Sequence, residues 1–370
     1  MHFCFWNANT LWPISGESGI TYPIKNLLGL LRPTRFALRG GRFLAAILSI
    51  CLLSSAAMAQ PMPGDGVTVR LIQPALPEEL FQTLVVAKSL EELGYTVTLT
   101  EPMSYSQVHQ ALADDKADVL AFHWDPQQDR LFQEAGGSEV MVREGVFVPN
   151  AYQGYVIDHK SAIVNGIKGL ADFKDPEIAE VFDIDGDGKA DLIGCNPDWS
   201  CAEIIDHQLQ AYGLTDKITH HKGPYPELIA KTVERFESDQ PVFYYTWTPF
   251  WVSDRIRPGV YASWLPVPFS SMPAGQEPRD TTPLIGPNLG FPVNTQQIVV
   301  RRAFAEANPA AATLLAAMQI LPEDISAQNS LMQKGEDSEA EIKIHVKDWM
   351  DRHLSSVFQW LDAARAVVAE

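Results

Sequence analysis

From Val67 onward the apolar and polar positions fall into alternating blocks. "VTVRLIQ" has the period of two of a strand, and "PEELFQTLVVAKSLEELG" reads as an amphipathic helix, with Pro77 near its start and Gly94 closing it. "YTVTLT" follows as the next strand, then an expected helix from about Tyr105 to Asp114, then the apolar run "ADVLAFHW". This alternation predicts a parallel sheet flanked by helices. Ligands of such sheets sit beyond the carboxyl ends of the strands, and Trp124 stands where the third strand gives way to "DPQQD".

"QGYVIDHK", Gln153 to Lys160, predicts a strand leaving this first unit, and a second αβ pattern occupies roughly Ile157 to Pro266. "GFPVNTQQIVV", a helix from about Ala303 and a C-terminal helical region ending in "VKDWMDRHLSSVFQWLDAARAVVAE" complete the chain. The expected division is a leader at 1–59, the first part of lobe 1 at 60–156, lobe 2 at 157–266, and the second part of lobe 1 with the C-terminal helices at 267–370. The proline-rich span Pro266 to Pro292 is expected to be surface loop containing the return crossing.

The amino end reads differently. Arg32, Arg35, Arg39 and Arg42 precede the apolar run "FLAAILSICLLSS", and Ala57 and Ala59 occupy the small-residue positions of a leader-peptidase site. This is the pattern of a secretory signal cut after Ala59. A membrane anchor fits less well, because the run is shorter than the roughly 20 residues a spanning helix needs.

Without residues 1–59 the 28 basic and 46 acidic residues become 23 and 45, a net charge of −22. Such a surface repels nucleic acid and anionic lipid, while a small cation or zwitterion meets no long-range barrier. Of the four cysteines, Cys195 and Cys201 remain. In an exported protein two cysteines six apart are expected to pair, and no second Cys or His pair stands at zinc spacing.

Those cysteines bound "GCNPDWSC", in which Pro197 stiffens a small loop carrying Trp199, and "AEIIDHQLQAYG" follows as a helix. A tryptophan held at a helix amino terminus lies beside unpaired N–H groups that favour an anion. Ser200 with Glu203 also matches a capping box, in which the Glu203 side chain would occupy the Ser200 N–H; both readings stay open. "VFYYTWTPFW" is a second aromatic concentration. Phe243, Tyr244, Tyr245 and Trp251 are expected in the core, whereas Trp247, like Trp124, precedes an X-Pro pair where the chain must leave its sheet. Three tryptophans at loop entrances could cage a quaternary ammonium, whose charge is attracted by ring faces.

"DIDGDGKAD" places Asp183, Asp185, Asp187 and Asp191 at positions 1, 3, 5 and 9 of a calcium loop, but Gly194 stands where a bidentate acid belongs. Structural calcium and a metal-free Asx-rich turn remain alternatives. His207, His220 and His221 read as ordinary surface or helix histidines. No HExxH, G-x-S-x-G, P-loop or dinucleotide fingerprint is present, and no cofactor is required.

"CNPDWSC", "VFYYTWTPFW", "FDIDGDGKADLIGCNP", "REGVFV" with "QGYVID", and "GFPV" together resemble the periplasmic glycine betaine-binding proteins of osmoprotectant ABC importers, from Val67 to about Ala364. The resemblance implies an α/β fold of the type II periplasmic binding protein class, two α/β lobes with a ligand cleft between them. It also implies glycine betaine or proline betaine as ligand, a membrane permease and ATPase as partners, and action as a monomer.

Matched by position, the family's tryptophan box falls on Trp124, Trp199 and Trp247, its disulfide on Cys195–Cys201, and its carboxylate donors on the N–H groups of Ser200 and Cys201. The family's carboxylate-binding histidine is here Gln128, neutral at every pH, and its glycine before the second cysteine is Ser200. The ammonium end is therefore intact and the carboxylate end altered. This leaves a chemosensory or regulatory receptor for another onium compound, choline or dimethylsulfoniopropionate, as the alternative within binding proteins. A secreted hydrolase is the alternative from another class.

Overall fold

The computed structural model describes residues 62–276, 278–283 and 286–367. The chain divides between Ala59 and Gln60 into two units, and every described residue belongs to the second. The leader expected at 1–59 lies outside the described residues.

Ten strands form: β1 (Thr68–Leu71), β2 (Thr96–Leu99), β3 (Val119–Asp125), β4 (Met141–Ala151), β5 (Gln153–Asp158), β6 (Ala190–Ile193), β7 (Ile218–His221), β8 (Phe243–Trp247), β9 (Ala262–Trp264) and β10 (Asn294–Arg301). They make two sheets of five, in the orders β2-β1-β3-β10-β4 and β7-β6-β8-β5-β9. In each, three strands run parallel, β2, β1, β3 and β7, β6, β8. The strand that enters each sheet from the other lobe, β10 or β5, runs antiparallel to its neighbours. The sheets are thus mixed rather than wholly parallel, because a chain arriving from the cleft side must run against strands that end there.

The crossings lie elsewhere than the sequence pattern suggests. β4 passes into β5 through Tyr152, so the sheets change there and not after Val156. On the way back Val267, Met272 and Phe291 are still buried in the second core, which moves the return from residue 266 to just before Asn294. Ala151 pairs with Asn294, so the two connections lie side by side. Pro149 and Asn150, turn residues between "REGVFV" and "QGYVID", mark the approach to the first crossing, and Asn150 has a positive φ of 54°.

The helix Leu80–Glu91 is also not amphipathic: Gln82, Thr83 and Ser89 are buried together with its apolar residues. One side faces the first sheet. The other is covered by the C-terminal helix Glu339–Arg352, whose Trp349 meets Phe81 edge-on at 6.1 Å. Among the described residues no helix is long and apolar enough to cross a membrane.

Two features anchor the lobes. In the first, Asp118 is buried and accepts from Arg70 on β1 (Nε 2.8 Å, Nη2 2.8 Å) and from Arg301 on β10 (Nη2 2.7 Å). Desolvation alone would raise its carboxyl, but the hydrogen bonds from the two arginines hold it below its usual value. In the second lobe, Gly194 follows β6 and lies against the buried His220 ring of β7; a Cβ at 194 would sit 1.9 Å from His220 Nε2. A side chain fits there only if the His220 ring moves, and this corner leads directly into the Cys195–Cys201 loop.

Asp118→Ala would leave two arginines facing one another and should cost about 3–5 kcal/mol in urea unfolding; a change below about 1 kcal/mol would contradict the hub. Because the Asp118 carboxyl is depressed in the folded state, its contribution is present above the unfolded value and is lost as pH falls through the folded one. Gly194→Ala should cost about 1–3 kcal/mol by overpacking, and a wild-type denaturation midpoint would show that the His220 ring can step aside.

Candidate functional site

The carboxyl ends of β3 and β8 face one another across a cavity of about 440 Å³, whose floor includes Ala151, Tyr152, Gln153 and Asn294 of the two crossings. Trp124, Trp199 and Trp247 all line it. Trp124 is the penultimate residue of β3 and Trp247 the last of β8; each is followed by an X-Pro bond, Asp125-Pro126 and Thr248-Pro249, both cis. Trp199 projects from the loop closed by the Cys195–Cys201 disulfide, across which the Cα atoms are 6.4 Å apart. Its ring meets Trp247 at 5.6 Å and 74°, forming a corner.

Packing behind the rings fixes them. Trp247 stacks on Phe250 at 4.3 Å and lies 5.0 Å from Tyr225, which is itself 5.8 Å from Trp199. Tyr105, at the start of the lobe 1 helix Tyr105–Ala113, approaches Trp199 to 6.0 Å, so the aromatic wall draws on both lobes. Tyr245 also lines the cavity, where sequence reasoning expects core. It is buried, as expected, but a burial pattern does not reveal that a cavity lies next to a buried ring.

Next to Trp199 the helix Ser200–Ala211 begins one residue earlier than the capping box requires. Trp199 is its N-cap, and Ser200 and Cys201 are its first two residues. The box does not form: Glu203 instead accepts from Gln276 Nε2 at 3.1 Å, and Ser200 Oγ accepts from Gln127 Nε2 at 2.8 Å. The N–H groups of Ser200 and Cys201 are therefore among those a helix leaves without an intrahelical partner, beside the positive end of its dipole.

Gln128 is buried on the same wall. Its Oε1 accepts from the Trp124 N–H at 3.3 Å, which leaves its NH2 as the donor.

A chain of side chains absent from the sequence reading links these parts. The Tyr245 hydroxyl donates to Gln153 Oε1, Gln153 Nε2 to Gln127 Oε1 (2.9 Å), and Gln127 Nε2 to Ser200 Oγ. The Gln127 N–H donates to Asn294 Oδ1 at 3.1 Å. Glutamines in a "DPQQD" loop carry no motif, so only tertiary placement identifies them.

Behind Trp124 lies a group that sequence reasoning also misses. Glu79 Oε1 accepts from Trp124 Nε1 at 2.8 Å and from the Tyr105 hydroxyl at 2.9 Å. Burial pushes its carboxyl up to about 8, against the opposing pull of those two donors. On the other face of β3, His109 Nε2 and His123 Nδ1 lie 2.8 Å apart, buried against Phe132. Desolvation lowers His109 to about 4 and His123 well below its usual value, so both are neutral.

Asp183, Asp185, Asp187 and Asp191 are not on the cavity wall. Asp183, Asp185 and Asp187 form the turn before β6, and Asp191 lies within that strand. Asp183 accepts from the N–H groups of Gly186 (2.7 Å) and Gly188 (2.8 Å), Asp185 from that of Asp187, and Asp187 from that of Lys189. Carboxylate oxygens of Asp183, Asp185 and Asp187 come within 4.8 Å of one another, as do ligand atoms of Asp185, Asp191 and His221.

His220 and His221 are not simple surface residues. The His220 side chain is buried beside Asp206, with burial lowering its pKa, and His221 bonds the buried Asp191. His207 meets Ser271 at 3.0 Å.

Comparison with known proteins follows the same lines. The family profile described as the substrate binding domain of ABC-type glycine betaine transport system matches residues 67–352. The chain is 47% identical over 315 residues to the glycine betaine/proline betaine-binding periplasmic protein of Escherichia coli (strain K12), covering 85% of this chain and 95% of that one. It is also 47% identical over 308 residues to the glycine betaine-binding periplasmic protein OusX of Dickeya dadantii (strain 3937), covering 83% and 93%.

In fold it is similar to an ABC-transporter choline binding protein in complex with choline (TM-score 0.61, 16% identity, 82% of this chain and 96% of that one). It is likewise similar to lactococcal OpuAC complexed with glycine betaine (TM-score 0.59, 18% identity, 80% and 99%). The two α/β lobes, the extent of the profile match and the near-half identity to full-length relatives lead to one conclusion: the chain belongs to the family of substrate binding domains of ABC-type glycine betaine transport systems.

Proposed function

We propose that this protein is the periplasmic receptor of an ABC importer and that it binds glycine betaine or a closely related methylated onium compound. The observation that carries the reading is the meeting of Trp124, Trp199 and Trp247 on one cavity, with a helix amino terminus beside them. A trimethylammonium has no N–H to share, and ring faces attract its charge by about 0.5–2 kcal/mol each. The ligand carboxylate would take the N–H groups of Ser200 and Cys201 and the NH2 of Gln128.

The protein would be exported by a leader cut after Ala59, act as a monomer and deliver ligand to a permease driven by an ATPase, without catalysing a reaction. The family profile, described as part of a transport system, supports transport over sensing. The carboxylate end, with Gln128 and Ser200, is where a preference for choline or dimethylsulfoniopropionate would arise.

Calorimetric titration with betaine, proline betaine, choline and dimethylsulfoniopropionate tests the assignment, with betaine or proline betaine expected to bind most tightly. Failure of all four to bind would overturn it. Trp199→Ala and Trp247→Ala should each weaken betaine binding by about tenfold or more, equivalent to about 1.4 kcal/mol, in a protein that remains folded. Unchanged affinity in either variant would contradict the cage.

A further inference from the structure

Glu79 combines three features that a purely structural glutamate does not need. Its carboxyl is buried behind two rings of the cavity wall; both ring donors, Trp124 Nε1 and the Tyr105 hydroxyl, converge on Oε1; and Oε2 has no hydrogen-bond partner. An acid that accepts two hydrogen bonds on one oxygen carries its proton on the other, so the neutral form holds its proton on the unpartnered Oε2. Glu79 is also the N-cap of the helix Leu80–Glu91, where a negative charge is favoured by the helix dipole. The ionised form is therefore opposed by desolvation but supported by two donors and a dipole, a balance that a nearby positive charge can tip.

We propose that Glu79 is a proton-linked counter-charge of the cage: when a methylammonium cation settles against the Trp124 and Tyr105 rings, the Glu79 carboxyl releases its proton to solvent, and its negative charge then strengthens cation binding. This rests on the proposed onium-binding function and assigns a regulation to it. Hydrogen bonding to a carboxylate enriches the indole and phenol in electrons, so ionisation acts on the cation both directly and through the ring faces it meets. By linkage, a ligand that favours the ionised form binds more tightly once that form is available.

The sign is fixed by the free protein, in which the Glu79 carboxyl stands near 8. Affinity rises with pH through the window below that value and levels above it. A histidine donor to the ligand carboxylate, charged only in acid, would give the opposite slope, and this chain has Gln128 there.

Few other groups face Glu79 among the described residues. Glu78 is raised by burial, partly offset by a hydrogen bond from the Trp251 side chain, and it repels charge on Glu79. Tyr105 is held well above its usual range by burial and by Glu79, and so stays neutral. Trp124 and Trp251 do not titrate, and His109 and His123 lie on the far side of β3.

The test is calorimetric titration of betaine from about pH 6 to about pH 9.5, in pairs of buffers of different ionisation enthalpy. A ligand-induced depression of one pKa unit corresponds to about a tenfold gain in affinity across the rise. Near neutrality the binding heat should depend on the buffer in the sense of proton release. Glu79→Gln, neutral and nearly isosteric, should bind with the acid-limb affinity of the wild type and a flat profile. Should that variant not fold, the wild-type profile and buffer heats still decide.

A flat wild-type profile with buffer-independent heat, or an unaltered slope in Glu79→Gln, would overturn the inference while leaving onium binding intact. Absence of betaine binding at every pH would overturn the proposed function and this inference with it.

Discussion

A fully methylated ammonium spreads its charge over carbon and offers no hydrogen bond, so electron-rich faces kept clear of water are suited to hold it. Such faces are useful only if they are already in position, because ordering three large side chains at the moment of binding would consume much of the attraction. The packing around the cavity meets that condition in three ways. Trp247 is backed by Phe250 and Tyr225, Trp199 is tethered inside a disulfide loop, and Trp124 is hydrogen-bonded through its indole N–H to a buried carboxyl.

The fold places these supports where two lobes meet. Trp124 and Trp247 end equivalent strands of two similarly ordered sheets, and each is followed by a proline at the point where the chain leaves its sheet. The crossings at Tyr152 and Asn294 lie side by side under the cavity, and the hydrogen-bond chain that starts at Tyr245 and ends at Ser200, both in the second lobe, passes through Gln127 of the first. Further contacts join the lobes away from the cavity, among them Ser330 donating to Asp254 at 2.8 Å. A ligand touching both sides would therefore bear on the lobe interface as well as on the cage.

Much of this is legible in the chain, for identifiable reasons. A period of two locates β1 and β2, a continuous apolar run locates β3 and the aromatic run "VFYYTW" locates β8, and the X-Pro pairs mark Trp124 and Trp247 as standing where the chain leaves the sheet. The capping box misleads because helix ends are uncertain by a residue, and a shift of one moves Ser200 from cap to first turn. Tyr245, Gln127, Gln153 and Glu79 are illegible because their roles depend on neighbours distant in sequence: a buried glutamate two residues after Pro77 reads as an ordinary first-turn acid until Trp124 and Tyr105 are seen on it. The sheet change at Tyr152 is marked in sequence only by Pro149 and Asn150, which a reading centred on the apolar positions passes over.

The central claim is that fixed positive charge, rather than shape or apolar surface, is what the three indoles select. Replacing the quaternary nitrogen of betaine by carbon gives 3,3-dimethylbutanoate, with the same outline and carboxylate but no cation. Titrated side by side, betaine is expected to bind at least about tenfold more tightly, as attraction to several ring faces requires. Equal affinity for the two would contradict the account.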